Sequence, residues 1–188
     1  TDIWAWRLAE TATNFPRMRF PRGVSIAIST ALAAILSFGV LAPSEAANTT
    51  ICSSWRWTCD GRLGYNPRQS YWRQLTGHNC TNYVAFRLIR DGWSKKLGPF
   101  QGNAKVWDNY FRAKGYTVNH QPAVGAIAQW NAHENGLYGS SGHVAYVDVV
   151  TADYIIIDED GWGSKNIRRK IFKGDRHWPG RFIHPKKK

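Results

Sequence analysis

The chain has 188 residues and a formal net charge of +12, from 25 Lys and Arg against 13 Asp and Glu. Hydrophobic residues make up 43% and aromatic residues 14%, which is enough to bury a core and excludes a chain that is disordered throughout. Three cysteines are too few for a disulfide-built miniprotein or for a zinc site of four thiolates. The positive charge predicts an anionic partner or environment, such as nucleic acid, anionic lipid or an acidic wall polymer.

The N-terminal region has the pattern of an export signal. Met18, the only methionine, is followed by two arginines and then by an apolar stretch over 24–41. Ser44 and Ala46 suit the two small positions of a signal-peptidase site, so we expect a signal peptide over 18–46, with cleavage one residue later as the alternative. A transmembrane anchor is the other interpretation, because about 18 apolar residues can span a bilayer.

The rest of the chain divides around this signal. Residues 1–17 precede the only methionine and are interpreted as untranslated upstream sequence. Residues 47–76 are polar and weakly periodic, which predicts an irregular N-terminal arm. The main domain is then expected over 77–188.

Export also determines how the cysteines are interpreted. Cys52 and Cys59 lie close together in the arm, and two neighbouring cysteines outside the cytoplasm are expected to form a disulfide. Such a bond would fix a local turn rather than stabilise the whole fold. Cys80 is left as the odd thiol, which in a secreted protein indicates a reactive or intermolecular role.

Two helices and a run of strands are predicted after the arm. Apolar residues at spacings of three and four predict a helix over 79–90 and a second over 103–114, with Asn103 as the N-cap of the second. Short alternating or β-branched runs predict five strands, at 125–130, 143–150, 154–158, 167–172 and 181–184. Helices followed by strands predict an α+β fold with an antiparallel sheet of about five short strands.

Three positions in these elements carry candidate chemistry. Cys80 begins the first helix, where the helix dipole favours the nucleophilic thiolate, although a buried structural cysteine is the alternative. His143 opens a strand, from which it could reach a thiol on a neighbouring element, although most histidines are ordinary polar residues. Glu159 lies between Asp158 and Asp160, and spacing alone does not choose which of these acids orients the histidine.

Five short segments that contain these residues follow one another along the chain. They are GHNCTNYVAFRL (77–88), GNAKVW (102–107), PAVGAIAQW (122–130), GHVAYV (142–147) and IIIDEDGW (155–162). Together they resemble the CHAP family, the cysteine- and histidine-dependent amidohydrolases/peptidases that cut peptidoglycan. The resemblance implies a papain-like fold, with Cys80 as nucleophile, His143 as general base and Glu159 as the acid that orients His143.

Two positions depart from the family pattern. Asn79 stands where many relatives have Gln before the cysteine; we expect it to cap the helix and to assist the backbone N–H of Cys80 in holding an oxyanion. Gly161 stands where relatives often have Asn after the orienting acid, so either a fourth polar helper is missing or Asp160 substitutes for it. The departures leave the nucleophile unchanged and the choice between Glu159 and Asp160 open.

The resemblance implies a secreted, cell-wall-associated hydrolase of peptidoglycan amide bonds that works through a thioester, without a metal or organic cofactor. The bond would be the N-acetylmuramoyl-L-alanine amide or a peptide bond of the stem or cross-bridge. Trp130, Tyr146 and Trp162 are candidates for lining the cleft, with core packing as the alternative. We expect a monomer that meets peptidoglycan and anionic wall polymers, without nucleic acid and without stable membrane insertion after signal cleavage.

Other classes of protein fit the sequence less well. A secreted binding module of CHAP-like fold would hold wall fragments without cutting them, but the retained Cys, His and Glu favour an enzyme. A nucleic-acid binder would explain the charge, but no nucleic-acid motif accompanies it. Wall peptidases of the NlpC/P60 type are also papain-like, but the order of the five segments favours the CHAP family.

Overall fold

The computed structural model describes residues 48–54, 64–99, 102–161 and 165–185. Its helices are α1 (Cys80–Arg90) and α2 (Trp107–Ala113), with short 3₁₀ turns at Ala104–Val106 and Glu134–Gly136. Its strands are β1 (Thr49–Ser54), β2 (Thr117–Asn119), β3 (Ile127–Trp130), β4 (His143–Val150), β5 (Tyr154–Asp160), β6 (Asn166–Phe172) and β7 (Arg181–His184). These seven described strands form one antiparallel sheet in the order β1-β6-β5-β4-β3-β7-β2.

Helix α1 begins where the sequence predicts, because Asn79 caps it. The Asn79 side-chain oxygen accepts the backbone N–H of Asn82 at 2.8 Å, which satisfies one of the helix's unpaired N-terminal donors. The helix ends at Asp91 because Gly92 adopts a φ of +93°, a left-handed conformation that glycine takes without steric cost. This places Cys80 in the first turn of the helix.

The sheet is buried on both faces, so it separates two hydrophobic cores. Side chains of a strand point alternately to opposite faces, and on β4 Val144 and Tyr146 pack with α1 and α2. Ala145 and Val147 pack on the other face, in a second core that includes Ile157. Strand β5 alternates in the same way, so the three acids at its end cannot all lie on one face.

The predicted fold class is confirmed, with two strands more than the sequence analysis expected. The prediction that 47–76 is an irregular arm is wrong for β1, which pairs with β6 at the edge of the sheet. Its sequence, TTICSS, has one large apolar residue and therefore little hydrophobic alternation. Strand β2 is only three residues long, and Asn103 makes no side-chain capping bond because a 3₁₀ turn precedes α2.

Several predictions fall outside the described residues. These are the upstream segment 1–17, the signal peptide over 18–46, Cys59 and Trp162. The Cys52–Cys59 disulfide therefore stays a prediction, with Cys52 lying in β1. Among the helices that the structure describes, none is both long enough and apolar enough to span a membrane.

Candidate active site

The first residue of α1 and the first residue of β4 meet at a groove of about 600 Å³. Cys80 is partly exposed there as a free thiol, and His143 lies beside it with 12% of its side chain exposed. The groove is also lined by Gln74, Leu75, Asn103, Ala104, Ser141 and Gly142. The structure therefore brings two of the predicted catalytic residues together at an accessible surface.

The imidazole of His143 connects Cys80 to a buried acid. Its Nε2 lies 2.7 Å from a carboxylate oxygen of Glu159, which leaves Nδ1 for the hydrogen bond with Cys80. Burial opposes protonation of the ring, but the neighbouring Cys80 and Glu159 outweigh burial and raise the pKa of His143 to about 10. The three side chains form one hydrogen-bonded line.

Glu159 is held as a carboxylate at the inner end of this line. It is only 5% exposed, and burial by itself would raise its pKa. Hydrogen bonds and charge from His143 and Arg169 outweigh that effect and lower the pKa of Glu159 to about 2. The Nε of Arg169 donates to the carboxylate oxygen that His143 does not use, at 2.9 Å.

Two aromatic rings fix the plane of the His143 imidazole. Tyr138 stacks on it at 4.9 Å between ring centroids with an interplanar angle of 6°, and Trp130 lies at 5.5 Å. Trp130 is completely buried, and its Nε1 donates to the carbonyl of His177 at 3.0 Å. The prediction that Trp130 lines the cleft is wrong, because it has no surface for a substrate and packs behind the histidine.

Tyr146 lies on the opposite face of β4 from His143. Its hydroxyl donates to Asp91, and the Arg87 guanidinium lies 4.0 Å from its ring centroid. It borders a cavity at the other end of α1 rather than the groove at Cys80. The prediction that Tyr146 lines the substrate cleft is therefore wrong as well. Residues two positions apart share a face of a strand, and Tyr146 lies three positions after His143.

The side chain of Asn79 is fully used as a helix cap. Its oxygen accepts from Asn82 N–H and from the Thr81 hydroxyl, and its amide nitrogen donates to the carbonyls of Leu75 and Gly77. Both amide hydrogens are thus directed at backbone oxygens. The predicted assistance of Asn79 to an oxyanion is not supported, and its contribution is to position Cys80.

Asp160 does not reach the His143 imidazole. It lies on the α1 side of β5, where its carboxylate oxygens are 3.0 and 3.2 Å from Nδ1 of His78. Burial raises the pKa of Asp160 to about 6 against the opposing effect of His78. Because adjacent strand residues point to opposite faces, Glu159 contacts His143 and Asp160 cannot take that place.

The turn before His143 depends on Gly142. Its φ is +68°, and a Cβ at this position would lie 2.6 Å from the carbonyl oxygen of Trp130. The Lys105 N–H donates to the Ser141 carbonyl at 2.9 Å and ties this turn to the 3₁₀ segment across the groove. The local chain thus delivers His143 to the groove at the start of β4.

Sequence reasoning missed three residues at the site: Arg169, Tyr138 and Gln74. Arg169 reaches Glu159 only through the register that sets Ile157 opposite Arg169 on β6, which the sequence does not reveal. Tyr138 lies in a loop without periodicity, and Gln74 lies in the segment that was interpreted as an irregular arm. The only signal for Arg169 is its basic side chain within a predicted strand.

The candidate site lies within a segment that matches a known protein family. The sequence model described as the CHAP domain matches residues 69–161. The chain contains a CHAP domain. That match spans Cys80, His143 and Glu159 but ends before β6 and begins after β1.

The CHAP domain is shared with staphylococcal proteins. The chain is 36% identical over 101 residues to the N-acetylmuramoyl-L-alanine amidase sle1 of Staphylococcus epidermidis, covering 53% of this chain and 29% of that protein. It is 42% identical over 128 residues to the staphylococcal secretory antigen SsaA of Staphylococcus aureus, covering 66% and 46%. A crystal structure of an N-acetylmuramoyl-L-alanine amidase from Staphylococcus aureus is similar over 59% of this chain and 31% of its own, with 27% identity and a TM-score of 0.47. The chain thus spans less than half the length of these relatives.

Proposed function

We propose that the chain is a peptidoglycan hydrolase that cleaves an amide bond with Cys80 as its nucleophile. The observation that carries the proposal is the line from Cys80 through His143 to Glu159, which opens on the groove. A nucleophile hydrogen-bonded to a base that a third group orients is the arrangement of covalent amide hydrolysis. The CHAP domain supports peptidoglycan as the substrate class.

The reaction begins from a thiolate–imidazolium pair, in which Nδ1 of His143 already holds the proton of the Cys80 thiol, as the raised pKa of His143 favours. The thiolate attacks the amide carbonyl, and the oxyanion is held by the backbone N–H of Cys80, which has no partner within the helix at this position. His143 then protonates the leaving amine, and a thioester remains on Cys80. Water, deprotonated by His143, releases the acyl group and restores the thiol.

The groove is suited to an uncharged amide. Gln74, Asn103 and Ser141 bring neutral polar groups to its described lining, and Leu75, which is 59% exposed, adds an apolar contact. No Lys or Arg is among the described residues that line the groove, so the positive charge of these residue types lies elsewhere. Neutral donors and acceptors can form hydrogen bonds with amide groups. This lining therefore favours the peptide part of peptidoglycan as the ligand over anionic wall polymers.

The names of the relatives indicate which bond is cleaved and where in the cell the protein acts. Proteins named N-acetylmuramoyl-L-alanine amidase are among them, so the amide between the sugar and the peptide is the first bond to examine, with stem or cross-bridge cleavage as the alternative. Other relatives are named secretory antigens. They support export to the cell wall, in agreement with the predicted signal peptide.

Digestion of purified peptidoglycan by the wild-type protein and by Cys80→Ala tests the proposal, with the fragments identified by mass spectrometry. We expect fragments from the wild type alone, with free lactyl carboxyls if it is an amidase and new peptide N-termini if it is an endopeptidase. Equal digestion by a folded Cys80→Ala protein would refute Cys80 as nucleophile. Binding to peptidoglycan without fragments from the wild type would instead establish the binding module.

A further inference from the structure

The support of Glu159 extends beyond the residues of the CHAP match. The Arg169 side chain is 22% exposed, and its Nε bonds to the buried carboxylate at 2.9 Å. Its Nη1 donates to the side-chain oxygen of Asn48 at 3.1 Å. The guanidinium therefore links the catalytic acid to Asn48, the residue directly before β1.

Asn48 is itself held at two further points. Its backbone N–H donates to a carboxylate oxygen of Asp175 at 3.1 Å, and its amide nitrogen lies 2.8 Å from Nδ1 of His177. The other Asp175 oxygen accepts the backbone N–H of His177 at 2.7 Å. Asn48 is thus fixed against the turn that follows β6, and its side-chain oxygen faces Arg169.

Sheet pairing keeps these groups in register. Strand β1 begins one residue after Asn48, and Thr50 is paired with Arg169 across the β1–β6 ladder. Both strands lie outside the CHAP match at 69–161. The predicted signal-peptide cleavage after Ala46 would leave Asn48 as the second residue of the exported chain.

We propose that Arg169 and Asn48 are positioning residues that complete the active site: Arg169 keeps Glu159 ionised and aimed at His143, and Asn48 orients Arg169. The inference rests on the proposed function, because it assigns Glu159 the role of orienting a catalytic histidine. It makes the first residues of the predicted mature chain part of the catalytic apparatus.

The groups that face Glu159 make the effect of Arg169 specific. Glu159 contacts His143 of β4 and Arg169 of β6. Tyr138 and His177 line the same small cavity of about 310 Å³ as Glu159. Among these described groups Arg169 is the guanidinium, and it bonds directly to the Glu159 carboxylate. Without Arg169, one oxygen of the buried Glu159 carboxylate would lose its hydrogen-bond donor and would have to be solvated through this cavity.

The central variant is Arg169→Gln, studied for the pH dependence of peptidoglycan hydrolysis. Loss of a cation at this distance raises a carboxylate pKa by about one unit or more. We therefore expect the acidic limb of kcat/KM to move to higher pH, with about a tenfold loss of kcat/KM on that limb for each unit of the shift. Arg169→Lys, which keeps the charge, should return the limb toward its wild-type position.

Arg168→Gln is the matched control. Arg168 is the neighbouring residue of β6, but it lies on the opposite face and pairs with Asp148 and Asp158. We expect it to lower stability without moving the acidic limb. A shift of equal size in Arg168→Gln, or an unmoved limb in a folded Arg169→Gln protein, would overturn the assignment of Arg169.

The double variant Asn48→Ala/Arg169→Gln tests whether Asn48 acts through Arg169. We expect Asn48→Ala alone to reduce kcat/KM in the same direction as Arg169→Gln but by less, and to add nothing to it in the double variant. Additive losses would refute the assignment of Asn48. Because Asn48 lies at the end of an edge strand, the Asn48→Ala single variant keeps the proposal testable if Arg169→Gln does not fold.

A measurement without substrate separates this inference from the proposed function. Alkylation of Cys80 by iodoacetamide, located by mass spectrometry, reports the thiolate and its imidazolium partner directly. We expect the same shift of the acidic limb in Arg169→Gln whether or not peptidoglycan is the substrate. An unshifted alkylation profile would overturn the inference, whereas absent hydrolysis with a shifted profile would refute only the proposed function.

Discussion

The two faces of strand β5 use neighbouring carboxylates in different ways. Glu159 faces the core that contains Trp130, and it bonds to His143, whose imidazole opens on a groove. Asp158 and Asp160 face α1, where Asp158 pairs with Arg87 at 2.6 Å and Asp160 pairs with His78. All three acids are buried.

The acids differ in whether the side chain that each one bonds to is accessible from the surface. The Arg87 partner of Asp158 is 1% exposed, so that ion pair joins α1 to the sheet and presents nothing to a substrate. The partner of Glu159 touches a free thiol at the surface. Under the proposed mechanism, a buried carboxylate acquires a catalytic role only through a partner that also reaches the reacting groups.

The largest expected effect separates Glu159 from Asp160. Glu159→Gln removes the charge that stabilises the protonated His143, and we expect kcat/KM to fall by roughly 10²- to 10⁴-fold. Asp160→Asn, the matched change on the other face, should stay within a few-fold of wild type. Peptidoglycan hydrolysis by the two folded variants measures this, and equal losses would show that the two faces do not differ in function.

The next effect concerns stability on the α1 face. Arg87→Met removes the fully buried partner of Asp158 and leaves Arg168 as its remaining cation. We expect the free energy of unfolding to fall by about 3 kcal/mol in urea titrations, the lower end of the loss for a broken buried pair. The folded fraction should still hydrolyse peptidoglycan. Arg112→Met is the control: it removes a half-exposed partner of Asp108, which Arg181 still holds at 2.8 Å, and should cost about 0.3–0.5 kcal/mol. A comparable loss in both variants would mean that burial of the Arg87 pair is unimportant.

A smaller effect is expected at the turn that delivers His143. Gly142→Ala would place a methyl group 2.6 Å from the Trp130 carbonyl oxygen, at a positive φ, and should cost about 1–3 kcal/mol of stability together with activity. Gly139→Ala in the same loop meets nothing within 4 Å and is the control. If both variants hydrolysed peptidoglycan like wild type, the turn would not control the position of His143.

The smallest effect is a pH dependence on the Asp160 side. The folded-state pKa of Asp160, about 6, lies above its ordinary value of 3.8, so protonation stabilises the folded state. That contribution is complete below about pH 4 and is lost as the pH rises through about 6. Relative to Asp160→Asn, the wild type should lose on the order of 1 kcal/mol between these values; a constant difference would contradict the raised pKa.

Much of the architecture was predictable, because α1, β4 and β5 carry clear periodicity, caps and β-branched runs. The short edge strands β1 and β2 were missed because they contain little hydrophobic pattern. Cys80, His143 and Glu159 came from the ordered segments of the CHAP resemblance, and the structure brings them together. Once the face of β5 that meets His143 is known, the alternation of side chains along a strand selects Glu159 and excludes its neighbour Asp160.

The supporting residues were less accessible to sequence reasoning. Trp130 and Tyr146 were expected in the cleft because they lie near catalytic segments, yet both are buried, one behind His143 and one on the other face of β4. Arg169 and Asn48 depend on strand register and on contacts between residues 121 positions apart. Such long-range pairings carry no local signal in one sequence.

The most direct test is to find the acyl group itself. The wild-type protein would be mixed with a soluble peptidoglycan fragment, quenched in acid within milliseconds to seconds, and mapped by peptide mass spectrometry. We expect the acyl part of the substrate on the peptide that contains Cys80, appearing before product and absent from Cys80→Ala. An acyl group on another residue, or undiminished turnover by Cys80→Ala, would contradict the account.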